Sequence, residues 1–251
     1  RAPRVVVIGL ASCFGCQINI TNIERHLMDV LGQIDLGYWQ LTSSHPMPDE
    51  FDVAVIEGAV TTEEAAEMVR RARERAGSVI AIGSCAVTGG IPGMASGDLA
   101  GHVEAVYGDA APDACGDLLA PRPVSDVIDV DAEVRCCPID PFEFVRVLDG
   151  VLYGSNRLPA TSALCGECSR NEKGCFYKQG VMCLGLVTRA GCGAKCPALG
   201  RPCNGCAGLS PDSNVEAARY VVGKRGLEVA RFNDALEMFN AVAISAAQGE
   251  E

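Results

Sequence analysis

The run Val5-Val6-Val7-Ile8-Gly9-Leu10-Ala11-Ser12-Cys13-Phe14-Gly15-Cys16 decides the fold. Four β-branched residues in a row make a short strand with no polar face, which is the pattern of a strand covered on both sides. Gly9 ends it, and a helical pattern follows, with Ile20, Ile23, Leu27, Val30 and Leu31 along one side. A Cys-x-x-Cys motif therefore stands where a strand hands over to a helix.

Outward from this run the pattern repeats. Ile34–Leu41 reads as a second strand, Val53–Ile56 as a third and Val79–Ile82 as a fourth; a fifth falls between Val127 and Arg135. Thr61–Ala76 is an amphipathic helix with Ala65, Met68, Val69, Ala72 and Ala76 on one stripe. Pro141–Tyr153 is a helix opened by proline, with Phe144, Val145, Leu148 and Leu152 facing inward. Strands alternating with helices imply an α/β fold, a flavodoxin-like doubly wound parallel sheet over residues 1–157. Ligands of such sheets gather at the carboxyl ends of the strands.

Residues 158–251 have another character. Between 164 and 208 lie eight cysteines and nine glycines without sustained periodicity. Such a stretch cannot bury an apolar core of its own, so metal is expected to organise it as a small irregular domain. Helical signals return in the tail, where Ser213 and Glu216 have capping-box spacing and Ala235, Met238, Phe239 and Val242 form a stripe.

Composition narrows the function. The 251 residues are 48% hydrophobic, enough for a buried core, and carry a formal charge of −11, which argues against nucleic acid as a partner. The basic run Arg70–Arg75 shares its helix with Glu63, Glu64 and Glu67 and reads as a solvated face. No stretch reaches the ~18 apolar residues of a membrane span. Val5–Ile8 is too short for a signal peptide, so the location is expected to be cytoplasmic; residue 1 is not Met, so residues are expected ahead of it.

Fourteen cysteines in such a chain are metal ligands sooner than disulfides. Cys13 and Cys16 follow the first strand, Cys85 the fourth and Cys137 the presumed fifth, so a parallel sheet brings them to one edge. Four converging thiolates match the ligation of a 4Fe–4S cluster. Cys136 adjoins Cys137, and by spacing either supplies the fourth. Gly89, Gly90 and Gly93 are candidates for N–H donors to the sulfurs. The plainer alternative is a thioredoxin-like redox pair at Cys13 and Cys16. The later cysteines divide into Cys165, Cys168, Cys175, Cys183 and Cys192, Cys196, Cys203, Cys206. Two zinc ribbons have the same count, which leaves a zinc-stabilised interaction protein as the alternative to a redox protein. Cys115 falls in a Pro/Asp/Gly-rich loop, and His26, His45 and His102 match no ligand position.

Taken together, Cys13-Phe-Gly-Cys16, Glu57-Gly58, Gly83-Ser84-Cys85-Ala86, Gly89-Gly90-Ile91-Pro92-Gly93, Cys137-Pro138 and Cys183-Leu-Gly-Leu-Val-Thr-Arg-Ala-Gly-Cys192 resemble the small, electron-transferring subunits of nickel–iron hydrogenases. The resemblance covers nearly the whole chain up to Gly208. It implies three 4Fe–4S clusters: a proximal one on Cys13, Cys16, Cys85 and Cys137, a medial one on Cys192, Cys196, Cys203 and Cys206, and a distal one on Cys165, Cys168, Cys175 and Cys183. Glu57 matches an acidic position near the proximal cluster, set against a helix-capping or solvated carboxylate. Membrane-bound relatives place His at the first distal position and Pro near that of Cys196; cysteine at both is similar to the cytoplasmic branch, closest in look to the F420-non-reducing type. Relatives commonly have Gly where Cys136 stands. The resemblance implies a nickel-bearing large subunit as partner, a further flavin or iron–sulfur subunit as outlet, and no nickel in this chain. Quinone-reductase subunits of the complex I family resemble the first domain but lack the eight later cysteines.

Overall fold

The computed structural model describes residues 1–95, 98–110, 117–171 and 174–249, so Cys115 lies outside it. The chain divides into two compact units, Arg1–Ser155 and Asn156–Glu251.

In the first unit the strands are β1 (Arg4–Gly9), β2 (Asp35–Trp39), β3 (Phe51–Glu57), β4 (Val60–Thr62), β5 (Ala76–Ile82), β6 (Leu118–Arg122) and β7 (Ala132–Val134). Five of them make a parallel sheet in the order β2-β1-β3-β5-β7. The register pairs Val5 with Val53, Val55 with Ile80 and Ile82 with Val134, so the carboxyl ends share one edge. The chain runs from β1 to β2 on one side and then returns to β3 on the other. The switch point is therefore the β1/β3 crevice, beside which Cys13, Cys16 and Glu57 lie.

The unbroken apolar runs have a direct cause. Val6, Ile8, Ala54, Ile56, Val79 and Ala81 form a core with Ala66, Val69 and Ala72 of the helix Glu63–Arg75. Val5, Val7, Val53, Val55, Ile80 and Ile82 join Phe144 and Leu148 of the helix Pro141–Tyr153 on the opposite face. Both faces are covered, so neither needs polar residues.

The expected helix Thr61–Ala76 is shorter at both ends. Thr62 ends β4, which pairs antiparallel with β6, and its hydroxyl accepts the Ala65 N–H at 3.2 Å as the helix N-cap. Such a cap contributes about 1 kcal/mol. At the other end Ala76 already belongs to β5. The pattern after Cys16 is likewise divided, into a helix Gly15–Ile20, a 3₁₀ segment Thr21–His26 and a helix Leu27–Leu31.

The second unit contains three short 3₁₀ segments, a four-residue helix Lys195–Ala198 and two longer helices, Val215–Lys224 and Val229–Gly249. Its cysteine-rich part does have an apolar core, because the tail completes it. Leu164, Tyr177, Leu184 and Val187 cluster with Ala218, Val222, Phe232 and Leu236. The tail differs from expectation by small angular steps. The cap of Val215–Lys224 is Asn214, which accepts the Ala217 N–H at 2.8 Å, rather than Ser213. The buried stripe of the last helix is Phe232, Leu236 and Phe239, and Met238 is exposed. No helix among the described residues is long and apolar enough to cross a membrane.

Candidate metal centres

Each thiol of the first set is delivered by a strand end. Cys13 and Cys16 leave β1 through Phe14, whose φ of 59° turns the chain sharply into the helix that begins at Gly15. Cys85 stands in the helix Gly83–Thr88 directly after β5, and Cys137 follows β7. The Ser84 N–H donates to the Cys136 carbonyl at 3.0 Å, tying the β5 and β7 turns together. Glycine is required here: a Cβ at Gly83 would lie 2.5 Å from Cys16 Sγ, and one at Gly90 would lie 2.7 Å from Cys85 N.

These thiols share one electrostatic environment. Cys16 is pushed far above the ordinary thiol range, chiefly by burial, with the negative charges of Glu57 and Cys137 adding to it and the Ile139 N–H opposing it. Cys85 is raised by burial and, further, by Cys13 and Glu57, against the Ile91 N–H. The N–H groups that serve Cys85 are those of Ile91 and of Cys85 itself, and Gly90 supplies space. Glu57 is 1% exposed, which overturns a solvated carboxylate. One of its oxygens accepts the Cys16 N–H at 3.0 Å, in the first turn of Gly15–Ile20, and the carboxylate also faces the Cys16 thiol. Helix-capping and proximity to the thiols are one arrangement. Cys136 has φ 92°, a left-handed value that favours glycine.

In the second unit Cys165 is driven up to about 11 by burial and then by Cys183, Cys168 and Cys175. These four thiols line one cavity with Phe176 and Tyr177. Gly185 sits between two of them, where a Cβ would stand 3.5 Å from Cys165 Sγ and 3.6 Å from Cys183 Sγ. Tyr177 donates to the Cys183 carbonyl at 2.7 Å and is itself raised to about 12, mainly by burial. Cys196 is raised by burial and then by Cys206 and Cys192. Cys203 is pushed to about 12 by burial, against its hydrogen bond with the Thr188 hydroxyl and one from the Gly205 N–H. Cys183 also acts on Cys196 and Cys203, so the later thiols lie beside one another. A backbone link joins them, for the Cys203 N–H donates to Cys183 Sγ at 3.2 Å. The sequence carries no sign of Tyr177 or Ile139, and it places Gly185 and Thr188 inside the run of residues 183–192 without a role for either.

Among the described residues no three His, Cys, Asp or Glu side chains stand close enough together to hold a single metal ion, and the thirteen described cysteines are all free of disulfides. His26, His45 and His102 are exposed. The donor chemistry fits a cationic cluster. Buried thiols whose charges repel one another ionise only when positive charge sits among them, and backbone N–H groups already point at their sulfurs.

The fold is shared with chains of solved hydrogenases. It superposes on a chain of an NAD⁺-reducing [NiFe]-hydrogenase with a TM-score of 0.57 at 24% identity, over 63% of this chain and 96% of that one. A [NiFeSe] hydrogenase from Desulfomicrobium baculatum gives 0.58 at 17% identity, over 82% and 94%. Residues 13–151 match the family described as NADH ubiquinone oxidoreductase, 20 kDa subunit. Sulfhydrogenase 2 subunit delta of Pyrococcus furiosus is 35% identical over 83% of this chain and 87% of its own length. A component of the vhu F420-non-reducing hydrogenase of Methanocaldococcus jannaschii is 31% identical over 91% of both chains. The chain belongs to this family of 20 kDa oxidoreductase subunits, on the branch that holds the hydrogenase small subunits.

Proposed function

We propose that this chain is the electron-transfer small subunit of a cytoplasmic nickel–iron hydrogenase and that it holds three 4Fe–4S clusters. The observation that supports the reading is that buried thiols act on one another at the sheet edge and again in the second unit; we assign them as Cys13, Cys16, Cys85 and Cys137 (proximal), Cys192, Cys196, Cys203 and Cys206 (medial), and Cys165, Cys168, Cys175 and Cys183 (distal). Bound by these residues, a 4Fe–4S cluster would supply one-electron redox chemistry. Around it the chain fixes the thiolates, excludes water and aims N–H groups at sulfur. Ile139 serves Cys16, Ile91 serves Cys85, Gly185 and Cys203 serve Cys183, and Gly205 serves Cys203. Glu57 anchors the Cys16 backbone and places negative charge beside the first set, which favours its oxidised state.

Hydrogen is split at nickel in a large-subunit partner, outside this chain, and a further flavin or iron–sulfur subunit takes the electrons onward. The matched family also admits a quinone-reductase role, but the eight cysteines from Cys165 on lie beyond residues 13–151, whereas the hydrogenase relatives extend over most of the chain. Anaerobic purification of the complex tests the proposal. About twelve iron and twelve sulfide per chain are expected, with nickel confined to a co-purifying subunit. Zinc without visible absorption, or partners free of nickel, refutes it.

A further inference from the structure

Thr188 lies five residues beyond Cys183, is 2% exposed, and is held by its backbone on both sides. Its N–H donates to the Leu184 carbonyl at 3.0 Å, and its carbonyl accepts the Leu164 N–H at 2.7 Å. The hydroxyl oxygen stands 2.7 Å from Leu184 O and 3.5 Å from Cys203 Sγ. A hydroxyl has one hydrogen and can give it to only one of these. With Cys203 protonated, the thiol donates to the Thr188 oxygen and the hydroxyl donates to Leu184 O.

Ligation changes this balance. A thiolate bound to iron has no hydrogen to give and accepts instead. The Leu184 carbonyl loses little when the hydroxyl turns away, because it already accepts N–H groups from Thr188 at 3.0 Å and Val187 at 3.1 Å, which occupy its two lone pairs. Cys203 Sγ, buried away from water, accepts the Gly205 N–H at 3.4 Å. Rotation about one C–O bond, with no side chain moving, carries the hydroxyl hydrogen from carbonyl to sulfur.

We propose that the Thr188 hydroxyl is a redox-tuning donor to the Cys203 thiolate, turned from Leu184 O to sulfur when the medial cluster is bound and engaged most strongly when that cluster is reduced. The inference rests on the small-subunit reading above. One electron arrives and no proton is exchanged; the added negative charge on the sulfurs strengthens a hydrogen bond already pointed at them. A donor that favours the reduced state raises the potential of its own cluster relative to the others.

Thr188→Val, which keeps the shape and removes the hydroxyl, and Thr188→Ser, which keeps the hydroxyl, are compared in the intact complex. Iron per chain is measured, together with EPR-monitored reductive titration of every cluster. Thr188→Val is expected to keep its iron. At the potential where the wild-type medial cluster is half reduced, its reduced-to-oxidised ratio should fall about tenfold, the other clusters should be unmoved, and Thr188→Ser should restore the ratio. In wild-type protein moved to D₂O, electron–nuclear double resonance should show an exchangeable deuteron coupled to the medial cluster beyond those of the backbone; it is present in Thr188→Ser. This arm stands even where Thr188→Val fails to fold, and an absent coupling overturns the proposal. A loaded Thr188→Val complex with an unchanged ratio also overturns it, and leaves the small-subunit reading intact. A wild-type chain without iron overturns both.

Discussion

Replacing Gly83 by alanine probes the sheet-edge site at its tightest point. Gly83 opens the turn after β5 with φ +80°, and a Cβ there would stand 2.5 Å from Cys16 Sγ. The left-handed backbone alone costs an alanine about 1–2 kcal/mol. An ordinary contact with carbon is about 3.5–4.0 Å, so the sulfur must retreat by about 1 Å or more. An iron–thiolate bond cannot stretch that far, so Cys16 loses its place in the set. The expected outcome is a chain with about two-thirds of the wild-type iron and a first unit weakened by about 2 kcal/mol or more. Trp39 is the only tryptophan and is buried in β2, so its fluorescence during urea unfolding reports on the first unit by itself. Wild-type iron with an unchanged Trp39 midpoint in Gly83→Ala would refute the argument that Cys16 is clamped between this turn and a cluster.

Cys136 and Cys137 separate by substitution: Cys136→Gly, which suits φ 92°, should keep the iron and raise the unfolding free energy read from Trp39 by about 1 kcal/mol, whereas Cys137→Ala should lose one cluster; the reverse pattern in iron analysis makes Cys136 the ligand. Glu57→Gln removes a buried charge that faces Cys16 and Cys85 while an amide oxygen remains for the Cys16 N–H, so redox titration should find the sheet-edge cluster easier to reduce, with the other two unchanged. Burial acts to raise the Asp131 carboxyl, but the Val79 N–H at 2.7 Å and Arg73 outweigh it and hold the group below its ordinary value. A carboxylate lowered by folding stabilises above its unfolded pKa, and that contribution is lost as pH falls through the folded one. Asp131→Asn should therefore be less stable at neutral pH and show a shallower acid decline of the Trp39 midpoint; parallel curves would contradict the linkage.

What the sequence revealed and concealed follows from how local each signal is. β1, β3 and β5 are legible because four or more β-branched or small apolar residues in succession have few other homes. Pro141 and the Phe144/Leu148 stripe define their helix at both ends. β4 and β6 are hidden, since a three-residue strand has no measurable period and Leu118–Arg122 contains Pro121. The Asn214 cap illustrates a finer limit: two adjacent polar residues offer the same chemistry, and only the backbone torsion at the turn chooses between them. The thiols were legible as a count and a spacing, whereas their supports were not. Thr188 looks like any threonine in a loop, and Gln17, which accepts the Trp39 indole N–H at 2.7 Å in the core, looks like any exposed glutamine of a helix. Each acquires its meaning from a partner far off in sequence.

The 3.2 Å contact from the Cys203 N–H to Cys183 Sγ has a consequence for traffic between the two groups of the second unit. Electron tunnelling decays steeply across empty space and more gently along bonds. From Cys183 sulfur the route crosses one hydrogen, then the nitrogen, Cα and Cβ of Cys203, and ends on Cys203 sulfur; its one side-chain torsion, χ1 of Cys203, would be fixed by ligation of that sulfur. A lane this short, anchored by a backbone N–H and two ligated sulfurs, would not lengthen when side chains breathe, so with the proposed clusters bound the hopping rate would hold while the surrounding loops fluctuate.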